Sequence, residues 1–546
     1  MSFKVIFNNT EKTYDKPVKV LDIVGDDKEI VCVYVNNRVR ELTYMIEKDA
    51  KVVALTCKDR DAKPTYESSL RFLVAMAMRN LYPNLDIRFS YNVSRSIFMQ
   101  ILTPHTTSNG QMVKDLEKEM KRLVALDLPL VRKIVYKEEA AKVFTKEGFL
   151  DKVEILKYRP EKTAHLYICG DYINYMYNRM VPSTGYINRW KVKFYHPGII
   201  IQYPRFDVNG EIPPFEDAPT FGRTLKQAHQ WAKATKADSI VGINQLIEET
   251  GPVDFITLCE QRHNRQLCEL GEIIENDIEN IRLICIAGPS SSGKTTFANR
   301  LRIELLSRGI SPIRISLDDY YLTKENIPLD EDGKPDFEDI RALDIELFNQ
   351  NMIDLISGLE VQLPKFDFKL GHRVPGRTLK VDDGQPIIIE GIHALNDLMT
   401  TSIPNHQKFK IFIAPQAQVN IDNHNPLGLT DLRLLRRIVR DYKFRNSDAI
   451  DTLNMWPSVR KGEFKWIYKT QEGANYVFNS LLPYELSVMK KYAMPLLEKI
   501  DTESPHFPVA ERLIRMLKFF KDLPDEWVPS NSLMREFIGG SCYADV

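Results

Sequence analysis

One stretch of the sequence, IRLICIAGPSSSGKTTFAN at residues 281–299, limits what the C-terminal half of the chain can fold into. The apolar run from Leu283 to Ala287 predicts a buried strand, and a helical pattern follows the glycine-rich turn. Between them, residues 288–295 match G-x-x-x-x-G-K-[ST], a pattern that is informative when a strand precedes it and a helix follows it. A chance match in a Gly/Ser-rich turn is the alternative. The context favours a phosphate-binding loop.

This loop has the chemistry that a bound triphosphate requires. Gly288 and Gly293 allow a tight turn whose N–H groups point inward, at the positive end of the helix. Lys294 is expected to reach the terminal phosphates, and the Thr295 hydroxyl to bind Mg²⁺. The predicted ligand is therefore a nucleoside triphosphate. The predicted nucleotide-binding residues are Gly288, Pro289, Ser290, Ser291, Ser292, Gly293, Lys294, Thr295 and Thr296.

Two further apolar runs end in acidic residues. PIRISL at 312–317 precedes Asp318, and PIII at 386–389 precedes Glu390. Functional groups collect at the carboxyl ends of parallel strands, where the phosphate loop also lies. Asp318 is suited to accept a proton from an attacking hydroxyl or to help hold Mg²⁺, and Glu390 is the second metal candidate. A capping role for Asp318 at a helix or turn is the alternative.

Two later segments carry candidate substrate contacts. In LPKFDFKLGHR, at 363–373, Phe366 and Phe368 lie two residues apart on an extended run and project to one side, near His372. They suit a flat heterocycle, with core packing as the alternative. In TDLRLLRRIVRD, at 430–441, four arginines form one cationic helix stripe, which is either a solvated face or part of a helix that closes over a nucleotide. They are Arg433, Arg436, Arg437 and Arg440.

Taken in order, these motifs resemble the uridine/cytidine kinases, within the phosphoribulokinase-like group, over about residues 281–497. The resemblance implies that Asp318 is the catalytic base, that Lys294, Arg436 and Arg437 offset the charge on the transferred group, and that Glu390 lies on the metal side. It also implies a set of substrate contacts, namely Tyr321, Glu338, Phe366, Phe368, His372, Arg433 and Arg445.

Four positions depart from the kinase pattern. Phe366 replaces a tyrosine, Glu338 replaces an aspartate, and His372 lies one residue later than the family histidine. Met455 stands where family members can carry glutamine. The expected activity is transfer of the γ-phosphoryl group of ATP, with GTP as an alternative donor, to the 5′-hydroxyl of uridine or cytidine with Mg²⁺, in pyrimidine salvage. A phosphoribulokinase-like kinase of another small alcohol, or an NTP-dependent regulatory protein that senses tRNA or an amino acid, remain the alternatives.

A different resemblance covers roughly the first 200 residues. A small β-rich module, followed by SSLRFLVAMAM, LEKEMKRLVALDLPL and MVPSTGYI, resembles the TGS and editing domains of threonyl-tRNA synthetases. Against that family's pattern, Glu67 and Arg71 replace two histidines, and Met176 and Met180 replace a cysteine and a histidine. Guanidinium and thioether groups cannot replace imidazole and thiolate as zinc ligands or bases. The resemblance therefore implies an editing fold that is degenerate and reused for another purpose.

We expect an α/β fold in which a P-loop NTPase parallel sheet flanked by helices forms the C-terminal half, after a β-grasp-like module and an α+β editing-like domain. The expected units are 1–61, TGS-like; 62–204, editing-like; 205–275, a helical connector; and 276–546, the kinase domain with a C-terminal helical tail.

Composition limits the partners. Lys+Arg and Asp+Glu both number 74 among 546 residues, so net charge favours neither nucleic acid nor an anionic membrane, although tRNA stays open for the N-terminal half. Seven separated cysteines, no signal-peptide segment and no apolar run of about 20 residues predict a cytoplasmic protein with free thiols. The expected partner is a small nucleoside, with no membrane and a possible homo-oligomer.

Overall fold

The N-terminal stretch folds as a mixed sheet with a short helix. The computed structural model describes residues 2–331, 333–367, 370–416 and 419–544. The sheet order is β2-β1-β7-β4-β5, and β1 and β7 are parallel, whereas the other neighbours are antiparallel. The elements are β1 Phe3–Phe7, β2 Thr10–Tyr14, β3 Val18–Lys19, α1 Val20–Val24, β4 Ile30–Val35, β5 Arg38–Arg40, β6 Met45–Ile46 and β7 Ala50–Thr56.

The second stretch surrounds one buried helix with two antiparallel sheets. This helix, α2 Lys63–Leu81, is buried on most of its faces, which explains why apolar residues occur all around it. It packs on α3 Gly110–Ala125. The sheet orders are β10-β11-β12 and β13-β14-β9-β8. The elements are α2 Lys63–Leu81, β8 Ile87–Val93, β9 Ser96–Ile101, α3 Gly110–Ala125, β10 Val131–Tyr136, α4 Lys137–Lys146, α5 Leu150–Tyr158, β11 Thr163–Cys169, β12 Tyr172–Asn174, β13 Lys191–Tyr195 and β14 Gly198–Gln202.

Two helices, α6 Pro219–Ala234 and α7 Ile240–Glu275, connect this part to the phosphate loop. Helix α7 is kinked where Gly251 has φ +80° and Pro252 follows. Its C-terminal part packs on the helix that follows the loop, because Cys259, Leu267 and Leu270 belong to the same hydrophobic core as that helix. Within the described residues, no helix combines the length and the apolar character needed to cross a membrane.

The C-terminal half is built on a parallel sheet of five strands. In order across the sheet they are β16 Ile313–Ser316, β19 Ile387–Glu390, β15 Leu283–Ala287, β20 Lys408–Ala414 and β23 Tyr476–Asn479. All five residues of β15 are buried, and alternate residues enter two different cores, one on each face of the sheet. Covering both faces requires a continuous apolar strand, which is why LICIA shows no polar alternation. The parallel α/β prediction is confirmed.

The elements of this half include one antiparallel hairpin, β17/β18, beside the sheet and a smaller one, β21/β22, before the arginine-rich helix. They are β15 Leu283–Ala287, α8 Lys294–Ser307, β16 Ile313–Ser316, α9 Ile345–Ile356, β17 Val361–Asp367, β18 His372–Leu379, β19 Ile387–Glu390, β20 Lys408–Ala414, β21 Asn420–Asp422, β22 Asn425–Pro426, α10 Leu429–Phe444, α11 Ala449–Gly462, β23 Tyr476–Asn479, α12 Glu485–Glu498, α13 Phe507–Leu517 and α14 Arg535–Ile538.

The β21/β22 hairpin joins the two halves of the protein through buried polar contacts. Lys152 of α5 forms an ion pair of 2.7 Å with Asp422, and both side chains are fully buried. His424 Nδ1 lies 2.8 Å from the amide nitrogen of Asn174, and the backbone N–H of Tyr177 donates to Asn425 at 2.8 Å. Because these buried polar groups are paired across the two halves, separating the halves would leave them unsatisfied.

The buried pair predicts a large stability difference between two substitutions. D422N leaves the Lys152 ammonium buried without a counter-ion, so we expect it to lower the free energy of unfolding by about 3 kcal/mol or more. E154Q breaks the exposed pair with Lys157 on the same helix and should cost less than about 1 kcal/mol. Urea unfolding followed by fluorescence measures both, and equal losses would contradict the account.

Candidate active site

The phosphate loop follows β15 at the carboxyl edge of the sheet, and two of its glycines are required by the backbone. Gly293 has φ +92°, and a Cβ at this position would overlap Leu533. A Cβ on Gly288 would overlap the carbonyl oxygen of Ile413 in the neighbouring strand β20. Both positions therefore exclude other residues. Lys294 begins α8, and its Nζ donates to the carbonyl of Gly288 at 3.0 Å.

Several buried hydroxyl groups of the loop are without a hydrogen-bond partner among the described residues. The hydroxyls of Ser291, Ser292 and Thr296 are buried, and within the described part of the chain no hydrogen-bond partner satisfies them. Buried polar groups are nearly always paired, so such a cluster calls for a ligand or water. Three hydroxyl donors at the positive end of a helix suit the oxygens of a phosphate group.

The two predicted acids lie at neighbouring strand ends beside the loop. Glu390 ends β19, which pairs with both β15 and β16, and Asp318 lies in the 3₁₀ turn that follows β16. The Ser316 hydroxyl donates to Glu390 Oε1 at 3.0 Å and accepts the N–H of Asp318 at 3.4 Å. One serine therefore holds both acids in place.

The charges of the two acids and Lys294 act on one another. Burial raises the pKa of Glu390, and the negative charge of Asp318 raises it further, while Lys294 opposes the rise. Burial lowers the pKa of Lys294, and the two carboxylates oppose that shift. An ammonium group and two carboxylates are thus gathered at one edge of the sheet, next to the unsatisfied loop hydroxyls.

The donor set fits Mg²⁺ bound together with phosphate. Among the described residues, no group of three or more His, Cys, Asp or Glu is arranged to hold a metal. Thr295, Asp318 and Glu390 instead provide one hydroxyl and two carboxylates, all of them oxygen donors. Mg²⁺ is usually bound by one or two carboxylates, water and substrate phosphates rather than by an all-protein cage. These residues suit that mode of binding.

The arginine-rich helix α10 is packed on the loop and is not a solvated face. Arg433 pairs with buried Glu463 and donates to the carbonyl of Ser290 at 3.2 Å. Arg436 is completely buried, pairs with Glu485 at 2.5 Å and donates to the carbonyl of Ser291 at 3.3 Å. These arginines hold the loop backbone, and their charges are paired within the protein.

Two other arginines of this region are less completely enclosed. Arg437 donates to the Ser290 hydroxyl at 2.8 Å and pairs with Asp441 at 3.1 Å. Arg445 follows the end of α10, about half of its side chain is exposed, and it lies 3.7 Å from Asp441. The nearby charge of Arg440 lowers the pKa of Arg445 to about 10, with Asp318 opposing the shift. Arg445 is therefore a partly exposed cation whose charge is felt by the predicted base.

The predicted aromatic contacts form a buried cluster. The rings of Tyr321 and Phe366 are edge to face with centroids 5.8 Å apart, and both side chains are buried. The Tyr321 hydroxyl donates to the carbonyl of Phe337 at 3.0 Å. Phe366 thus packs in a core, the alternative left open by the sequence. Phe368 lies outside the described residues.

Within the described residues, no hydrogen bond or ring contact joins His372 to the cluster of Tyr321 and Phe366. It is exposed at the start of β18, and its ring contacts the carbonyl of Leu370 within the same hairpin.

Glu338 lies against Gly462, where a Cβ would overlap the Glu338 side chain. Burial raises the pKa of Glu338 to about 7, and Arg437 opposes the rise. Its Oε2 is buried, with no hydrogen-bond donor near it in the residues that the structure describes. The ring of His393 donates through Nε2 to the Glu338 carbonyl at 3.0 Å, so this histidine fixes the backbone of Glu338. The unpaired Oε2 of Glu338 is suited to accept a hydrogen bond from a substrate hydroxyl.

Comparison with known proteins identifies the C-terminal half. A sequence model described as "Phosphoribulokinase / Uridine kinase family" matches residues 283–486. The uridine kinase of Staphylococcus haemolyticus (strain JCSC1435) is 30% identical over 182 residues, which cover 33% of this chain and 79% of that one. The chain belongs to this family. A solved structure described as a possible uridine kinase from Bacillus stearothermophilus is 20% identical over 37% of this chain and 89% of that chain, with a TM-score of 0.25, too low to carry an argument.

The N-terminal half of this kinase-family chain matches a different protein class. The threonine–tRNA ligase of Marinobacter nauticus (strain ATCC 700491 / DSM 11845 / VT8) is 27% identical over 191 residues, which cover 34% of this chain and 30% of the ligase. This chain therefore spans less than a third of the length of that ligase. Both resemblances predicted from the sequence are confirmed.

Glu67, Arg71, Met176 and Met180, which the resemblance to the synthetases singled out, form ion pairs or pack in the core. Glu67 forms ion pairs with Lys63 at 3.0 Å and with Arg71 at 3.3 Å. Met176 and Met180 are buried in the core of this half. The β21/β22 hairpin contacts the segment that carries Met176, and the positive charge of Arg71 contributes to lowering the pKa of His424, after burial and Lys152.

Sequence reasoning missed the acidic partners of the kinase-family arginines. Glu463 lies in a π-helical turn and Glu485 at the start of α12, far along the chain from α10. Glu536, near the C-terminus, accepts the backbone N–H of Thr296 at 3.0 Å. The only available signal was that buried arginines need counter-ions, which does not select among the many acidic residues of the chain.

The raised pKa of Glu338 predicts a pH-dependent stability difference. Glu338 is neutral in the folded protein up to about pH 7 but ionises near pH 4.5 when unfolded, so a rise in pH across this window destabilises the wild type. E338Q lacks this effect. We expect its free energy of unfolding, relative to wild type, to increase by about 2 kcal/mol between pH 5 and pH 8.

Urea unfolding at the two pH values measures this difference, with E360Q at an exposed site as the matched control. A difference between E338Q and wild type that does not change with pH would show that Glu338 ionises normally.

Proposed function

We propose that this protein is an ATP-dependent kinase that transfers the γ-phosphoryl group to the 5′-hydroxyl of a pyrimidine nucleoside, uridine or cytidine, as in pyrimidine salvage. The observation that carries the proposal is the meeting of Lys294, Asp318 and Glu390 beside a loop with unsatisfied hydroxyl donors. Membership of the phosphoribulokinase/uridine kinase family supports phosphoryl transfer to an alcohol, and the similarity to uridine kinases supports a nucleoside acceptor.

In this proposal the groups at the sheet edge share three tasks, which are proton acceptance, charge neutralisation and metal binding. Asp318 accepts the proton of the acceptor hydroxyl, and the oxygen of that hydroxyl forms a bond to the γ-phosphorus. The bond from the γ-phosphorus to the β–γ bridging oxygen breaks at the same time and releases ADP. Lys294 and Arg445 lie near the acid and offset negative charge on the transferred group. Mg²⁺ would be held by Thr295, Asp318 and Glu390, and when bound it neutralises charge on the phosphate oxygens.

The arginines of α10 are divided by their contacts. Arg433 and Arg436 are paired with buried glutamates and hold the loop carbonyls, so we assign them as positioning residues. Arg437 contacts the Ser290 hydroxyl and is the member of this stripe best able to contact a phosphate. A loop held by fixed cations needs little reorganisation when charge develops in the transition state.

The acceptor site is proposed between the aromatic cluster and Glu338. Tyr321 and Phe366 form an apolar wall, and the unpaired Oε2 of Glu338 accepts a ribose hydroxyl. His372, which is exposed, would have to approach from the β17/β18 hairpin. Among the described residues no hydrogen bond or ring contact joins His372 to the cluster, which favours a second candidate, a kinase of another small alcohol such as a sugar phosphate. A substrate panel separates the two.

We also propose a cytoplasmic location, which is supported by seven cysteines that are all free thiols. GTP as donor, tRNA as a partner of the N-terminal half and a homo-oligomer stay proposals of the same kind, each open to a direct binding or sizing measurement.

Replacing the proposed base tests the reaction. We expect D318N to lower kcat by at least about 100-fold, because the variant cannot accept the hydroxyl proton, while the affinity for ATP stays within a few-fold. A coupled assay of ATP consumption with uridine, cytidine, adenosine and ribulose 5-phosphate measures both the loss and the preferred acceptor. D383N, at an exposed position of the same domain, is the matched control.

Full turnover by D318N would refute the assignment of the base. A preference for ribulose 5-phosphate over every nucleoside would replace the leading acceptor by the second candidate.

A further inference from the structure

The C-terminal segment, residues 532–538, lies on the phosphate loop. Leu533 packs so closely on Gly293 that a Cβ there would overlap its side chain. Three residues later, the carboxylate of Glu536 accepts the backbone N–H of Thr296 at 3.0 Å. One short segment thus covers a loop glycine and occupies a loop amide at the same time.

The occupied amide belongs to the expected phosphate site. Thr296 is the third residue of α8, and the first N–H groups of a helix have no partner within the helix. In phosphate loops, these amides cradle the phosphates nearest the nucleoside. The side chain of Thr296 gives an independent indication of a ligand, because the residue is fully buried and its hydroxyl is without a partner in the described structure.

The charge of Glu536 opposes a nucleotide. Burial lowers the pKa of Lys294, and the negative charge of the Glu536 carboxylate opposes this shift, as the charges of Glu390 and Asp318 do. A phosphate oxygen placed at the Thr296 amide would lie beside this carboxylate, and like charges at that separation repel one another. The carboxylate and the phosphate chain therefore compete for the same amide.

The rest of the segment is held firmly, so the exchange involves the Glu536 side chain. The Ser532 hydroxyl donates to buried Glu260 at 2.5 Å. At the other end, Lys443 of α10 donates to the carbonyl of Ile538 at 2.5 Å, and the Arg436 guanidinium lies 5.0 Å from the centre of the Phe537 ring. A partly exposed glutamate between two anchored ends can rotate without unfolding the segment.

We propose that Glu536 is an autoinhibitory residue, whose carboxylate occupies the Thr296 amide and must leave it before the phosphate chain of ATP binds. The proposal rests on the proposed function, because it takes the loop to be an ATP site. The contact of Glu536 makes the affinity for ATP lower than it would be for the loop alone. Regulation of ATP binding would therefore lie in the C-terminal segment.

Titration calorimetry with Mg·ATP tests this on the full chain. All variants are compared at the same ionic strength, first at low salt and then at high salt. We compare wild type with E536Q, which keeps the shape and loses the charge, and E536A, which loses the contact. E526Q, at an exposed position shortly before this segment, is the matched control. We expect both Glu536 variants to bind ATP at least about fivefold more tightly, with E526Q unchanged. The gain should fall as salt rises, since it comes from removing a repulsion.

The outcomes are distinct. ATP binding by wild type with equal or weaker binding by E536Q overturns the autoinhibitory role and leaves the proposed function standing. ATP binding only by the Glu536 variants supports the inference in its strongest form. Failure of wild type and both variants to bind ATP, with all of them folded by thermal unfolding, overturns the proposed function and this inference with it.

Discussion

The kinase half of this protein depends on positive charge buried against the phosphate loop. Arg433 and Arg436 give up water and gain the carboxylates of Glu463 and Glu485 together with carbonyl oxygens of the loop. Burying charge is costly unless each ion is paired and hydrogen-bonded, so these contacts constrain the positions of α10, α12 and the loop together. The loop backbone is therefore held in shape by paired charges of the protein itself.

The sequence was sufficient where the determining interactions are local. The loop, its strand and its helix follow from a contiguous pattern, and Asp318 and Glu390 follow from apolar runs that end in an acid. The sequence was insufficient where the partners are remote. Whether the arginines of α10 face solvent or the loop depends on Glu463 and Glu485, which are neighbours only in three dimensions. Glu536 is likewise 240 residues from the amide that it caps.

The two halves are connected by features that neither resemblance predicts. The segment with Met176 contacts the β21/β22 hairpin, which leads directly into α10 and its arginines. The buried Lys152–Asp422 pair fixes that hairpin from the N-terminal side. The N-terminal half thus contributes to the support of the loop-binding helix. Single-sequence patterns could not predict this, because the contacts join residues about 250 positions apart.

The central claim is that one triphosphate binds where the loop and the two strand-end acids meet. A crystal structure of the full chain with Mg²⁺ and a non-hydrolysable ATP analogue tests it most directly. The account predicts phosphate oxygens at hydrogen-bond distance, about 3 Å, from the amides of residues 288–296, and a metal about 2.1 Å from oxygens that include Thr295 or an acid of the pair Asp318 and Glu390. A nucleotide bound away from this loop, with the loop contacts unchanged, would contradict it.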